Sequence, residues 1–86
     1  MNDIAYIIMT EHWNEDSCTS YTYNRVVFLN EGDAIKFLNE HNPREFSEYD
    51  DDKPKFFVDM IRIGSDFWYD PSDDLQAAIE AANRRF

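Results

Sequence analysis

Basic residues, glycine and proline are all scarce in this chain. It has 8 Lys and Arg against 18 Asp and Glu, which gives a formal net charge of −10. Nucleic acids and anionic membranes both attract cations, so this charge argues against direct binding to either. A chain with 2 glycines and 3 prolines is neither a linker nor a low-complexity sequence. Hydrophobic residues make up 43% of it, which is enough for a folded core.

Cysteine and long apolar runs are scarce too. Cys18 is the single cysteine and cannot form a disulfide within the chain, which favours a reducing compartment. The longest apolar run, Ile4–Met9, is far short of the roughly 20 residues that a membrane-spanning helix needs. Residues 1–3 lack the basic charge of a secretory signal. We therefore expect a cytoplasmic protein without membrane contact, folded as one domain over residues 1–86.

The apolar run Ile4–Met9 is the best candidate for the centre of the fold. In a strand, alternate side chains point to opposite faces, and this segment is apolar on both. Such a strand belongs in the middle of a sheet. Further strands are predicted over residues 21–29 and 56–63, with a polar connecting loop over residues 12–20. Asp66–Tyr69 fits either a short fourth strand or an aromatic loop.

Capping signals mark where the helices begin. Asn30, with Asp33 three residues later, predicts the start of a helix that runs to about residue 41. Asn42 precedes a proline, which ends that helix and favours a second, short one. Asp70 before Pro71 predicts the start of the last helix.

The resulting order is strand, strand, helix, strand, helix (ββαβα), which predicts a small α+β domain. A right-handed crossover lets the third strand pair with the first. This gives a single-layer antiparallel sheet of order 2-1-3, with both helices packed on one face. Under the helices we expect the side chains of Ala5, Ile7, Met9, Val26 and Phe28.

The other, open face of the predicted sheet is rich in tyrosine. Its expected residues are Tyr6, Tyr21, Tyr23, Arg25 and Val27. Tyrosine and arginine are over-represented at interface hot spots, so this face is a candidate protein-binding surface. The alternative is that exposed cross-strand tyrosines only stabilise the sheet.

Candidates for catalysis or metal binding are few. Cys18 could act as a nucleophile with His12 or His41. The acids next to it, Glu15 and Asp16, disfavour the thiolate that a nucleophile needs. The acidic residues lack the central glycine of a calcium loop, and one cysteine with two histidines is too few for a zinc site. We therefore predict no enzyme activity, no cofactor and no metal site.

Acidic clusters are the strongest functional signal. They occur at residues 11–16, 45–52 and 66–74, with aromatic residues interleaved in the last two. Duplex DNA carries one negative charge per roughly 1.7 Å of axis, so carboxylates on a folded frame can compete for a basic groove. Aromatic anchors would add specificity. The alternative is a solvated surface whose acidity serves only solubility.

These observations predict a small acidic binding protein that inhibits a nucleic-acid-handling protein by occupying its basic surface. The chain resembles phage-encoded inhibitors, including anti-CRISPR and anti-restriction proteins that mimic DNA. The resemblance lies in its size, its acidity and its predicted small sheet covered by helices. That resemblance implies a bacterial host cytoplasm and carries over no residues. The predicted partner-binding residues are Glu45, Glu48, Tyr49, Asp50, Asp51, Asp52, Asp66, Trp68, Asp70 and Asp74. The alternative is a structural or regulatory homodimer, joined through the tyrosine face or a strand edge.

Overall fold

The strands and helices follow the predicted order, with one short strand added. The computed structural model describes residues 4–14, 16–47 and 52–85. Its elements are β1 (Ile4–Asn14), β2 (Thr19–Phe28), α1 (Glu31–Glu40), a 3₁₀ turn (Pro43–Phe46), β3 (Lys55–Arg62), β4 (Trp68–Tyr69) and α2 (Asp73–Arg84).

The strands of the described chain form one antiparallel sheet in the order β2-β1-β3-β4. The predicted order 2-1-3 therefore lacked one strand. Trp68 and Tyr69 pair with Ile61 and Met60 at the edge of the sheet. β1 lies between β2 and β3, as its two apolar faces predicted. The small α+β fold is confirmed at this level, and its strand order is corrected.

The hairpin of β1 and β2 is longer than predicted. β1 continues to Asn14 and β2 begins at Thr19, so much of the predicted loop 12–20 is strand. The polar composition of this segment favoured a loop. Alternation along β1 instead turns His12 inward, where it is 1% exposed, and leaves Trp13 51% exposed.

Two of the predicted caps are confirmed and one is corrected. The side chain of Asn30 accepts a hydrogen bond from the backbone N–H of Asp33 over 2.8 Å, and Asn42 caps the 3₁₀ turn. At α2 the capping residue is Ser72, not Asp70, and its hydroxyl accepts from the N–H three residues later. Serine caps as well as aspartate does, and this start places two aspartates in the first turn, where the helix dipole favours negative charge.

The core lies between the two helices and one face of the sheet. Each helix contributes an apolar stripe of residues at helical spacing, Ala34 and Leu38 on α1 and Leu75, Ala78, Ile79 and Ala82 on α2. The buried members of the core are Tyr6, Ile8, Ala34, Leu38, Phe56, Val58, Met60, Leu75, Ala78, Ile79 and Ala82.

The two faces of β1 are opposite to the prediction. Tyr6 is 6% exposed in the core and stands directly opposite Phe28. Directly opposed residues in antiparallel strands share a face, so Tyr6, and not Ile7, lies under the helices beside Phe28. The prediction had assigned Ile7 to the face of Phe28, and a shift of one residue moves every side chain of a strand to the other face. Ala5, Ile7 and Met9 accordingly lie on the open face.

A β-bulge interrupts β2 at Arg25. Val26 pairs with Ile8 and Asn24 pairs with Met9, so Arg25 is an extra residue in the β2 strand. Residues of β2 on the two sides of the bulge therefore alternate out of step with each other.

Beyond the bulge, the tyrosines of β2 lie on the helix side. Tyr23 is opposite Thr10 and Tyr21 is opposite His12, and both Thr10 and His12 are buried. The predicted tyrosine-rich open face is therefore wrong. Of the residues assigned to it, Val27 does lie there and is 54% exposed.

Helices α1 and α2 run side by side in the same direction. At their starts, the Ser72 hydroxyl donates a hydrogen bond to the Glu31 carboxylate. At their ends, the Arg85 guanidinium donates to the carbonyl oxygens of Leu38, Asn39 and His41. Among the described residues, neither helix has the length and apolar character needed to cross a membrane.

Candidate functional site

A buried polar network lies at the hairpin end of the sheet. Thr10, His12 and Asp52 are 0%, 1% and 5% exposed. β1 carries Thr10 and His12 on its helix face, and Asp52 comes from the segment that leads into β3. Arg25, at the bulge, reaches the network from β2.

Hydrogen bonds join these four side chains in a row. Asp52 Oδ2 lies 2.6 Å from His12 Nδ1, and His12 Nε2 lies 3.0 Å from Thr10 Oγ1. Arg25 Nε donates to the same Thr10 oxygen over 2.8 Å, and Arg25 Nη2 lies 3.3 Å from His12 Nε2. A carboxylate only accepts and a guanidinium only donates. Nδ1 of His12 therefore carries a proton, and Nε2 accepts from the Thr10 hydroxyl.

Aromatic rings pack around the network. Tyr21 stacks on the imidazole of His12 with 5.3 Å between ring centroids, and Tyr23 meets the same ring edge-on at 5.7 Å. The Arg25 guanidinium carbon lies 4.9 Å from the centroid of Tyr23 and 5.0 Å from that of Phe46. Both distances are in the range of cation–π contacts.

The order carboxylate, imidazole, hydroxyl is that of a nucleophilic catalytic triad. A triad needs a hydroxyl that a substrate can reach, and Thr10 is fully buried. The depression beside His12 has a volume of about 140 Å³, whereas ligand pockets typically have roughly 300–1,000 Å³. We interpret the network as a structural tie that holds the Asp52 segment against β1.

Sequence reasoning missed this network. It treated His12 as a loop residue and Asp52 as a surface acid. Continuing the alternation of β1 past Glu11 would have put His12 on the same face as Tyr6 and Ile8, and that was the one signal present. Local sequence does not link His12 to an aspartate 40 residues away.

The predicted partner-binding residues divide into several groups. Glu48, Tyr49, Asp50 and Asp51 lie outside the described residues. The prediction for Asp52 is corrected, because this side chain is buried against His12 and is not an exposed acid.

The exposed members lie at opposite ends of the helix pair. Glu45 is in the 3₁₀ turn just after α1 ends, whereas Asp66, Trp68, Asp70 and Asp74 lie between the end of β3 and the first turn of α2. The two helices start side by side. The 10 residues of α1 span about 15 Å. Glu45 is therefore about one helix length away from the other four.

Glu45 serves the cap of the 3₁₀ turn. Its Oε2 accepts a hydrogen bond of 2.6 Å from the backbone N–H of Asn42. That bond lowers the pKa of the Glu45 carboxyl from its ordinary 4.5. Desolvation opposes this shift, and His41 and Arg85 add smaller contributions that lower the pKa.

Three consecutive aromatic residues are exposed around β4. Phe67, Trp68 and Tyr69 are 66%, 58% and 40% exposed. They are flanked by Asp66 and Asp70, which are also exposed and form no ion pair with any described residue. Trp68 and Tyr69 point to opposite faces of the sheet, because they are successive residues of a strand. Three exposed large aromatic residues in a row are more than the scattered apolar residues expected on a surface.

Within residues 4–14, 16–47 and 52–85, no group of three or more His, Cys, Asp or Glu side chains is arranged to hold a metal ion. Comparisons with protein-family models, curated proteins and solved structures found no match to this chain. Any functional proposal therefore depends on the chain's own geometry and charge.

Proposed function

We propose that this chain is a small acidic binding protein that inhibits a nucleic-acid-handling protein by occupying its basic surface. The observation that carries the proposal is the exposed Phe67–Tyr69 triplet between two exposed aspartates. A single exposed apolar residue needs no explanation, whereas three consecutive exposed aromatic residues favour a partner that covers them. Aromatic residues are also the commonest anchors at interfaces.

Charge defines the kind of partner. The net charge is −10, and the first turn of α2 adds Asp73 and Asp74 next to the triplet. The bond from Ser72 brings Glu31 to the same end of the molecule. Such a surface repels nucleic acid and attracts a basic protein surface. Grooves that bind nucleic acid are strongly cationic and so complement it.

The proposed contact is smaller than the set derived from sequence. It consists of Asp66, Trp68, Asp70 and Asp74. Asp52 is buried, Glu45 lies about one helix length away, and residues 48–51 are outside the described residues. A homodimer stays the alternative, with the open face of the sheet in place of the tyrosine face.

A pull-down from bacterial lysate tests the proposal. The immobilised protein is washed at low and then high salt, and the released proteins are identified by mass spectrometry. We expect a nucleic-acid-binding protein that salt releases, because exposed charge pairs are screened beyond about 10 Å at 0.1 M ionic strength. The recovered protein should lose nucleic-acid binding when this chain is added.

A pair of double variants provides the control. Asp66→Lys/Asp70→Lys reverses the acids beside the triplet, and Glu40→Lys/Glu80→Lys makes the same charge change on exposed helix positions. We expect the first variant to bind the recovered protein about tenfold or more weakly and the second to stay within about threefold. Equal losses, or no captured nucleic-acid-binding protein, would reject the proposal. A dimer in sedimentation at high salt would instead favour the homodimer.

A further inference from the structure

The open face of the sheet carries no helix within the described chain. It presents the side chains of β1 to β4 that point away from the core. Around its centre, the partly or fully exposed apolar residues are Ile7, Val27, Phe57, Ile61 and Trp68, whereas Ala5 and Met9 on the same face are buried. An apolar surface that extends over several strands of a small protein is typical of an interaction site.

One carboxylate lies in the middle of this apolar surface. Asp59 is on β3 directly opposite Ile7, and its neighbours on the same face of the strand are Phe57 and Ile61. Asp59 is half-buried and forms no hydrogen bond or ion pair with any described residue. Partial burial of an unpaired charge costs free energy, and a cation from outside the chain would offset that cost.

We infer that the open face is a docking surface for a protein that places one arginine or lysine, flanked by apolar side chains, opposite Asp59. The inference rests on the proposed function and names the centre of its contact. Asp59 selects a cationic side chain, and the five partly or fully exposed apolar residues provide the area that loses water around it. Trp68 belongs both to the open face and to the exposed aromatic triplet, so the two surfaces are continuous.

A second copy of this chain fits the open face less well. Two copies, each with a charge of −10, repel one another. Lys55 is the basic residue of the described strands that shares this face, and it stands opposite Glu11 at the end of β3. It is four residues, or about 13 Å, from Asp59. A face-to-face pair centred on Asp59 would therefore bury two carboxylates without a cation.

An NMR titration of the full chain with two synthetic peptides tests the inference. The probe is Leu-Trp-Arg-Trp-Leu, and the control peptide replaces arginine with citrulline, which keeps the shape and lacks the charge. We expect the arginine peptide to shift the methyl signals of Ile7 and Ile61 and the indole signal of Trp68. It should bind about tenfold more tightly than the citrulline peptide, as a charged hydrogen bond predicts.

Two substitutions of Asp59 separate charge from apolar area. Asp59→Asn removes the charge at constant shape, and Asp59→Leu replaces it with apolar surface. Both are expected to lose the preference for arginine, whereas docking by apolar area alone would make Asp59→Leu bind both peptides more tightly. Glu40→Gln removes one charge from the helix side and should keep the preference. Both Asp59 variants should unfold at or above the wild-type temperature, because an unpaired half-buried carboxylate is gone.

Several results would overturn the inference. They are equal binding of the two peptides, shifts confined to residues 66–74, no shifts at millimolar peptide, or a dimer that Asp59→Leu strengthens. Because the probe is a synthetic peptide, the outcome does not depend on a partner recovered from lysate. If Asp66→Lys/Asp70→Lys abolishes partner binding while both peptides bind equally, the inference about Asp59 is rejected and the proposed function stands. If no nucleic-acid-binding partner is captured but the preference for the arginine peptide depends on Asp59, the proposed function is rejected and the docking surface stands.

Discussion

The imidazole of His12 and the carboxylate of Asp52 meet at 2.6 Å although 40 residues separate them in the chain. Both side chains are buried. The bond ties the segment that precedes β3 to the middle strand of the sheet, and Thr10 and Arg25 satisfy the other side of the imidazole. A polar tie of this kind is stable only while every member keeps its partner.

Removing the Asp52 carboxylate should therefore lower the free energy of unfolding much more than removing an exposed acid. Asp52→Ala leaves the Nδ1–H of His12 buried without an acceptor, and we expect the free energy of unfolding to fall by about 3 kcal/mol. Asp52→Asn should cost less, because its amide oxygen still accepts. Urea denaturation measures both. Glu40→Ala, at an exposed position, should change the free energy by no more than about 0.5 kcal/mol. Equal urea midpoints for Asp52→Ala and Glu40→Ala would contradict the structural role of the tie.

Two adjacent arginines at the end of α2 should differ in their contribution to stability. Arg85 donates to three carbonyl oxygens at the end of α1, which have no partner within their own helix. We expect Arg85→Ala to lower the free energy of unfolding by about 1–2 kcal/mol. The side chain of Arg84 is 79% exposed and meets Glu80 at 3.8 Å, so Arg84→Ala should cost no more than about 0.5 kcal/mol. Thermal and urea unfolding of the two variants measures both changes. Equal losses of unfolding free energy would show that Arg85 contributes only through its charge and not through its hydrogen bonds.

The side chain of Asn83 acts as a short substitute for a strand at the edge of β3. Its Oδ1 accepts from the N–H of Phe56 over 2.7 Å, and its Nδ2 donates to the carbonyl oxygen of Phe56 over 3.0 Å. β4 pairs only farther along β3 and leaves these groups uncovered. We expect Asn83→Ala to destabilise the fold by about 2 kcal/mol and to speed exchange of the Phe56 amide hydrogen. Gln76→Ala, an exposed amide on the same helix, is the control, and unchanged exchange in Asn83→Ala would refute the prediction.

Stability should depend on acid pH through Glu45. The Asn42 N–H and His41 lower the pKa of its carboxyl from 4.5, so the folded state favours the ionised form. This contribution is present above the unfolded pKa and is lost as the pH falls through the lower folded pKa. Glu45→Gln should therefore melt below the wild type at neutral pH, and the gap should close in acid.

Melting curves between about pH 2.5 and pH 7 test this dependence. Glu40→Gln is a matched control, since Glu40 forms no hydrogen bond with any described residue. A gap between Glu45→Gln and the wild type that stays constant over the whole range would mean that the carboxyl acts by shape and not by charge.

The open face illustrates why half of the sheet was assigned to the wrong side. Tyr6 and Ile7 are both apolar enough to be buried, so composition alone does not choose between them. The choice depends on which of them opposes Phe28, and that pairing joins positions 22 residues apart. Arg25 adds a second change of face, because a bulge alters the alternation without leaving a signal in residue type.

The sequence by itself determined the features that act over a few residues. These include the cap at Asn30, the turn that begins at Asn42, the apolar stripes of α1 and α2, and the central place of β1. Capping hydrogen bonds and helical periodicity operate within one or two turns, so the local sequence contains the whole interaction. Only the tertiary structure decided which face of β1 is buried, that β4 pairs at the edge, and that His12 meets Asp52. Each of these depends on contacts between distant positions, whose geometry exists only once the sheet has formed.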